Sequence, residues 1–467
     1  MLVSDCCVRF WGGGIVLRGV LKTQFCIAVF SLWAGAFGTD ANAQIVPMVK
    51  VSVSPDAEIR IRMEPMTRRQ VFSFRNAYAG ILGIAERVSD FKAFDDKGVE
   101  VAVSRIAPGE FRSHADVPTI SYVVKLPRPS AAEVAHVSWL AGETGVLMLA
   151  DLLPEQTSSA ALRFSLPAGW NVQSSAYGAD QHGAFFTLEA EKTMFLVGRG
   201  LRNQQKQVER LWLSAMIAGN WPFKDETVVK VGAEVMRKYL ALTGFNLRKS
   251  PVVMIAPLPV TTGSVKWRAE TRGSTVLLLM DPQAKIGNWE GQLGVIFTHE
   301  LLHLWVPNAL QLQGDYDWFF EGFTLYTALV TALELKYIDF DEYVATLGRV
   351  YDSYLSREDG VSLLDAAERR WTTGNSAVYD KGMLVAFLYD LAIRRDSGGK
   401  KWLGSVYKDL FSGATTQPEN GNEVIIRLLS STPSGAELAK SYIEGQQELD
   451  LKPLLTDRKL LKSLYDR

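Results

Sequence analysis

Cysteine is nearly missing from this 467-residue chain, and the three present, Cys6, Cys7 and Cys26, all lie near the N-terminus. Past them the chain can form no disulfide, offer no thiolate to a metal and use no cysteine nucleophile. Histidine is scarce as well, with five in all, so every metal or acid–base reading must rest on very few rings. Neither sign of charge is in excess: 50 Lys and Arg stand against 51 Asp and Glu. No Lys/Arg-rich block occurs, so nucleic acid is not an expected partner. Repeats and low-complexity tracts are also absent. What remains, 47% apolar and 22% charged residues, is the balance of a globular protein, and the length suggests more than one domain.

The first 43 residues read as a leader. Arg18 and Lys22 precede an apolar run, Phe25–Phe37, and Ala41-Asn42-Ala43 follows as a small-x-small cleavage site. The run is short of the about 20 residues that span a bilayer, so an uncleaved anchor is the lesser alternative. The expectation is an exported protein, periplasmic or secreted, with no stable membrane insertion once the leader is removed.

From 44 to 200 the pattern is short alternating runs, such as Val49-Lys50-Val51-Ser52-Val53 and Ile120-Ser121-Tyr122-Val123-Val124, broken by turn residues. Period-two alternation of this kind predicts an N-terminal antiparallel β-sandwich. Its histidines, His114, His136 and His182, have no ligand spacing and read as surface or packing residues. From 201 the period changes. Gln204–Ala218 and Glu226–Leu242 read as helices, then Pro251–Ala256, Ser264–Ala269 and Ser274–Met280 as strands. Residues 288–467 read as largely helical. A small mixed sheet (201–287) followed by a helical half is the layout of a cleft between two lobes.

The segment Thr298-His299-Glu300-Leu301-Leu302-His303 carries the chemistry. On a helix, residues four apart share a face, so His299 and His303 can point at one cation, and neutral imidazole suits Zn²⁺. Glu300 projects from beside them, able to act on water without ligating the metal. A catalytic zinc takes three protein ligands. Glu321 opens an apolar stretch, and a buried carboxylate there needs a partner that a metal supplies. Gly322 beside it should allow close backbone packing against the first helix. Asp315 and Asp317 precede Glu321; one of them could cap that helix or hydrogen-bond a ligand histidine, and capping is the simpler role. Trp305, Trp318 and Phe323 read as packing residues.

Four blocks carry a resemblance to the gluzincin metallopeptidases, and within them to the M61 (glycyl aminopeptidase) family, relatives of the M1 aminopeptidases. They are Glu270–Leu278, His299–Trp305, Trp318–Tyr326 (like W-x-x-E-G-F-T-x-Y) and Val378–Gly382 (like Y-x-K-G). The resemblance spans about residues 201 to 467. It implies a thermolysin-like α+β catalytic unit, one zinc held by His299, His303 and Glu321, and Glu300 as general base. It also implies Tyr379 as hydrogen-bond donor to the oxyanion, and Glu270, at the end of the cleft's edge strand, as the partner of a peptide's free α-amine. The approach to Glu270 departs from the family: Trp267 and Arg268 stand where a glycine-rich run is usual, so no glycine preference carries over. The PDZ domain that many relatives carry after the helical lobe is not expected. The leading expectation is a zinc aminopeptidase. Its rivals are a zinc endopeptidase or other amide hydrolase, and a catalytically vestigial peptide-binding protein.

Overall fold

The computed structural model describes residues 45–462 apart from 177, 179–182, 261–265, 357–359, 414–416, 458 and 460. The leader reading, His182, Ser264 and Val265 therefore lie outside the described residues.

Alternation does its work in the first strand, where Val49, Val51 and Val53 are buried while Lys50 and Ser52 are exposed. That strand, Met48–Val53, sits inside a seven-stranded sheet between Glu58–Glu64 and Ala160–Ser165. Most neighbours there are antiparallel, as expected, but Met48–Val53 and Ala160–Ser165 run parallel. The long chain between those two strands makes the crossover that parallel pairing requires. A four-stranded sheet and a three-stranded sheet accompany it. Side chains from all three, including Val49, Ile61, Phe72, Phe111, Leu147 and Phe195, share one core.

A five-stranded mixed sheet follows, in the order Arg202–Val208, Leu211–Ile217, Val252–Pro257, Thr275–Met280, Trp267–Arg272. The first two strands are a hairpin turning at Glu209 (φ 52°) and occupy most of the segment expected to be the helix Gln204–Ala218. The Gln- and Lys-rich composition suits a helix, but the residues alternate in burial as an edge strand does, and pairing overrides local propensity. Thr275–Met280 is buried along its whole length. One face packs Val276 and Leu278 against Val231, Met236 and Phe297, and the other packs Leu277 and Leu279 against Trp139, Val146 and Leu196. The second group belongs to the four-stranded sheet, so the two halves meet through an apolar core.

The rest is helical apart from short connections. The helix Trp289–Glu300 starts at Asn288, whose side chain accepts from the Gly291 N–H at 3.0 Å. A π-helical turn, Trp318–Phe323, leads into the helix Thr324–Glu334. Gly322 is a contact point, though not with the helix Trp289–Glu300: a Cβ on it would stand 2.5 Å from Gly382 Cα and 2.8 Å from the Val378 carbonyl oxygen. Both belong to the helix Asn375–Asp396, so the turn bearing Glu321 rests directly on the helix bearing Tyr379. Gly322→Ala should therefore lower stability by about 2–3 kcal/mol and reduce any activity of the site, read from denaturant midpoints and turnover. An alanine variant as stable as the parent would mean that this contact can relax. Among the described residues no helix is long and apolar enough to cross a membrane.

Candidate metal centre

His299 and Glu300 close the Trp289–Glu300 helix, and His303 lies in the tighter 3₁₀ turn Leu302–Leu304. The helix thus ends sooner than Pro307 alone implies, yet the two rings still converge. His299 Nε2 and His303 Nε2 are 3.2 Å apart, and Glu321 Oε2 lies 3.6 and 3.5 Å from them. A tetrahedron with bonds of ~2.0–2.2 Å has edges of about 3.3–3.6 Å. The three donor atoms are therefore spaced as one face of such a tetrahedron, and a single ion would fit among them. His303 donates through Nδ1 to the Val306 carbonyl oxygen at 3.0 Å, which leaves Nε2 as the free donor atom.

The electrostatics favour a cation in the same place. Burial holds His299 down at about 3, a neutral imidazole. Burial would raise Glu321, but His303, Arg370 and His299 hold it at about 2, a carboxylate. Burial would also lower His303, yet Glu321 and Glu300 raise it to about 9. The two carboxylates thus draw a proton onto His303 in the place where a metal cation would otherwise stand. His, His and Glu are the donor set of a single catalytic zinc ion.

Glu300 is buried beside this triangle, its Oε2 accepting from the Thr271 hydroxyl at 2.8 Å. Burial pushes its carboxyl up to about 7, with His303 and Thr271 pulling the other way. That is the range in which a carboxylate can both take and return a proton near neutrality. Tyr379, on the Asn375–Asp396 helix, lies close enough to feel the charges of Glu321 and Glu300.

Arg370 was not foreseen. Its guanidinium is buried between Asp317, Glu321 Oε1 (2.7 Å) and the Tyr379 hydroxyl (2.8 Å). Asp317 thus serves this arginine and makes no capping hydrogen bond. Nothing local marks Arg370 in the sequence, because its partners lie far along the chain.

Glu270 sits within the edge strand Trp267–Arg272, opposite Leu277, rather than past the end of an Ala269-terminated strand. It was expected to be free for a substrate amine, and it already has neighbours. Tyr78 donates to Oε1 at 2.6 Å, Arg272 Nε to Oε1 at 2.9 Å, and His136 Nδ1 meets Oε2 at 2.5 Å. His136, read as a packing histidine, is thus a partner of a buried acid. Burial would raise Glu270, but His136, Arg272 and Tyr78 hold it at about 2. A depressed carboxylate stabilises the fold above its unfolded value near 4.5, and that contribution disappears as pH falls toward 2. Glu270→Gln should then cost about 3 kcal/mol at pH 7, with the gap from the parent closing below pH ~4.5. Denaturant titrations at several pH values read this, and a pH-independent gap would contradict it.

No protein-family model and no curated protein matches the chain. Solved structures do. An aminopeptidase N family protein from Idiomarina loihiensis aligns over 88% of this chain and 78% of its own length, with 18% identity and a TM-score of 0.73. An M1 zinc metallopeptidase from Deinococcus radiodurans, in a mutant form bound to a Tyr-Ser-Ala substrate, aligns over 87% of this chain and 95% of its own length. Its identity is 15% and its TM-score 0.56. The chain shares the fold of these proteins. At such identities the likeness establishes architecture, and the chemistry rests on the residues described above.

Proposed function

We propose that this protein is a zinc-dependent aminopeptidase of the gluzincin type, with a thermolysin-like catalytic half. The observation that carries the proposal is the triangle of His299 Nε2, His303 Nε2 and Glu321 Oε2, sized for one tetrahedral zinc ion. Held by these three residues, zinc would lower the pKa of water toward 7 and polarise a peptide carbonyl. Glu300 accepts the proton of the attacking water and delivers it to the leaving amine. The Tyr379 hydroxyl donates to the oxyanion that forms on the substrate. Hydrolysis of this kind needs only water as co-substrate and leaves a free carboxylate and a free amine.

Glu270, beside Glu300 on the edge strand, anchors the peptide's α-ammonium on the remaining lone pair of Oε2. The Deinococcus relative was crystallised with a tripeptide substrate, and a two-domain M1 zinc metallopeptidase of the same fold with L-tryptophan. Both are in keeping with peptides that enter by the N-terminus. Within the clan, the blocks at Glu270–Leu278 and Val378–Gly382 favour an M61-like enzyme. The leader favours export to the periplasm or beyond, where the cysteine-free remainder of the chain is indifferent to oxidation.

Removing the α-amine should cost the energy of a charge-assisted hydrogen bond, so N-acetylated peptides should be cleaved about 100-fold more slowly than free ones. A second reading, an endopeptidase, draws on the three donors already on Glu270, which weaken its pull on an ammonium group. Equal rates on blocked and unblocked peptides would decide for it. A protein that takes up zinc in a 1:1 ratio yet cleaves neither class would be a binding protein instead.

A further inference from the structure

Arg370 has more ties than charge balance demands. Asp317 and Glu321 are enough to neutralise a buried guanidinium, yet Nη2 is shared between Glu321 Oε1 and the Tyr379 oxygen, at 2.7 and 2.8 Å. The ring faces of Phe320, Trp371 and Tyr379 surround the guanidinium at 5.4, 4.4 and 5.6 Å, so its plane has little freedom to turn. Two consequences follow from the direction of these bonds. Glu321 Oε1 is engaged by Arg370 while Oε2 faces the two imidazoles, so the carboxylate would offer a metal one oxygen. The Tyr379 oxygen accepts from Arg370, so the phenolic hydrogen is directed elsewhere and is polarised by the positive charge behind it.

We propose that Arg370 is a positioning residue for catalysis, fixing Glu321 as a one-oxygen metal ligand and aiming the Tyr379 hydroxyl at the oxyanion. It touches neither the reacting atoms nor the metal and acts through the two residues that do. The proposal rests on the zinc peptidase reading, and the test separates the two. One arm is the visible absorption of the Co²⁺-loaded full-length protein, since band position and intensity report coordination number without any turnover. Arg370→Met should free Oε1 and weaken the cobalt bands as coordination rises above four, with affinity for the ion falling about 10–100-fold. Arg370→Lys should restore affinity but not the spectrum, because an ammonium cannot hold both oxygens in one plane.

The other arm is a double-mutant cycle with Tyr379→Phe. Alone, Arg370→Met should lower kcat about 100-fold with KM changed less than threefold. In the Tyr379→Phe background the same substitution should cost about tenfold or less, because the hydroxyl it steers is gone. A purely structural role predicts equal losses in both backgrounds and an unchanged cobalt spectrum, and that result overturns the proposal. If Arg370→Met does not fold, Arg370→Lys carries both arms. A parent protein that binds the ion and cleaves no peptide would sink the peptidase reading, whereas an active parent matched by its Arg370 variants would sink only the role of Arg370.

Discussion

Glu300→Gln is expected to lower kcat by about 10³- to 10⁴-fold while the protein still takes up one zinc per chain. The amide matches the carboxylate in shape and can keep the Thr271 hydrogen bond, which the structure gives as 2.8 Å. It loses the ability to accept a proton from water. None of the three ligand atoms changes, so metal content and affinity should stay near those of the parent. Metal analysis beside steady-state turnover reads both quantities. Activity within tenfold of the parent would remove Glu300 from the mechanism, and a loss of zinc would show that the acid shapes the ligand cluster instead.

Glu321→Gln should act on binding and stability together. It takes away one ligand charge, and it leaves the buried guanidinium of Arg370 with Asp317 as its only carboxylate. Breaking a buried ion pair costs about 3–5 kcal/mol, and the surviving Asp317 contact should keep the loss near the lower end. Unfolding in the presence of a chelator isolates this term, because bound metal adds its own stabilisation to the parent. In excess zinc the parent's denaturant midpoint should rise and that of Glu321→Gln should hardly move. A variant that retains stoichiometric zinc would mean that the carboxylate is not a ligand.

The parts of the site legible in the sequence are those built over short stretches of chain. His299, Glu300 and His303 are neighbours on one turn, and Glu321 announces itself as an acid inside an apolar segment. Tyr379 and Glu270 were reached only through resemblance, since neither has a local pattern that distinguishes it from a core tyrosine or a strand acid. Arg370, Tyr78 and His136 were not reached at all. Arg370 meets Glu321 across 49 residues, and Tyr78 and His136 meet Glu270 across 192 and 134, separations over which single-sequence periodicity carries nothing. The same limit explains the hairpin Arg202–Ile217 that replaced an expected helix. Its Gln- and Lys-rich strand is decided by what it pairs with, and the partner, Leu211–Ile217, is in turn held by Val252–Pro257. The apolar strands of the first 200 residues were legible because burial on one face imposes its own alternation; the parallel pair among them was not, because alternation says nothing about direction.

Tyr78 and His136 reach Glu270 from the part of the polypeptide made first, whereas every atom placed to hold zinc comes from the part made later. On the proposed reading, the early stretch of the gene sets the surroundings of the acid that would receive a peptide's amine, while that acid and the three metal donors come from the late stretch. Variation at Tyr78 or His136 would then retune that acid without altering any of the three metal donors.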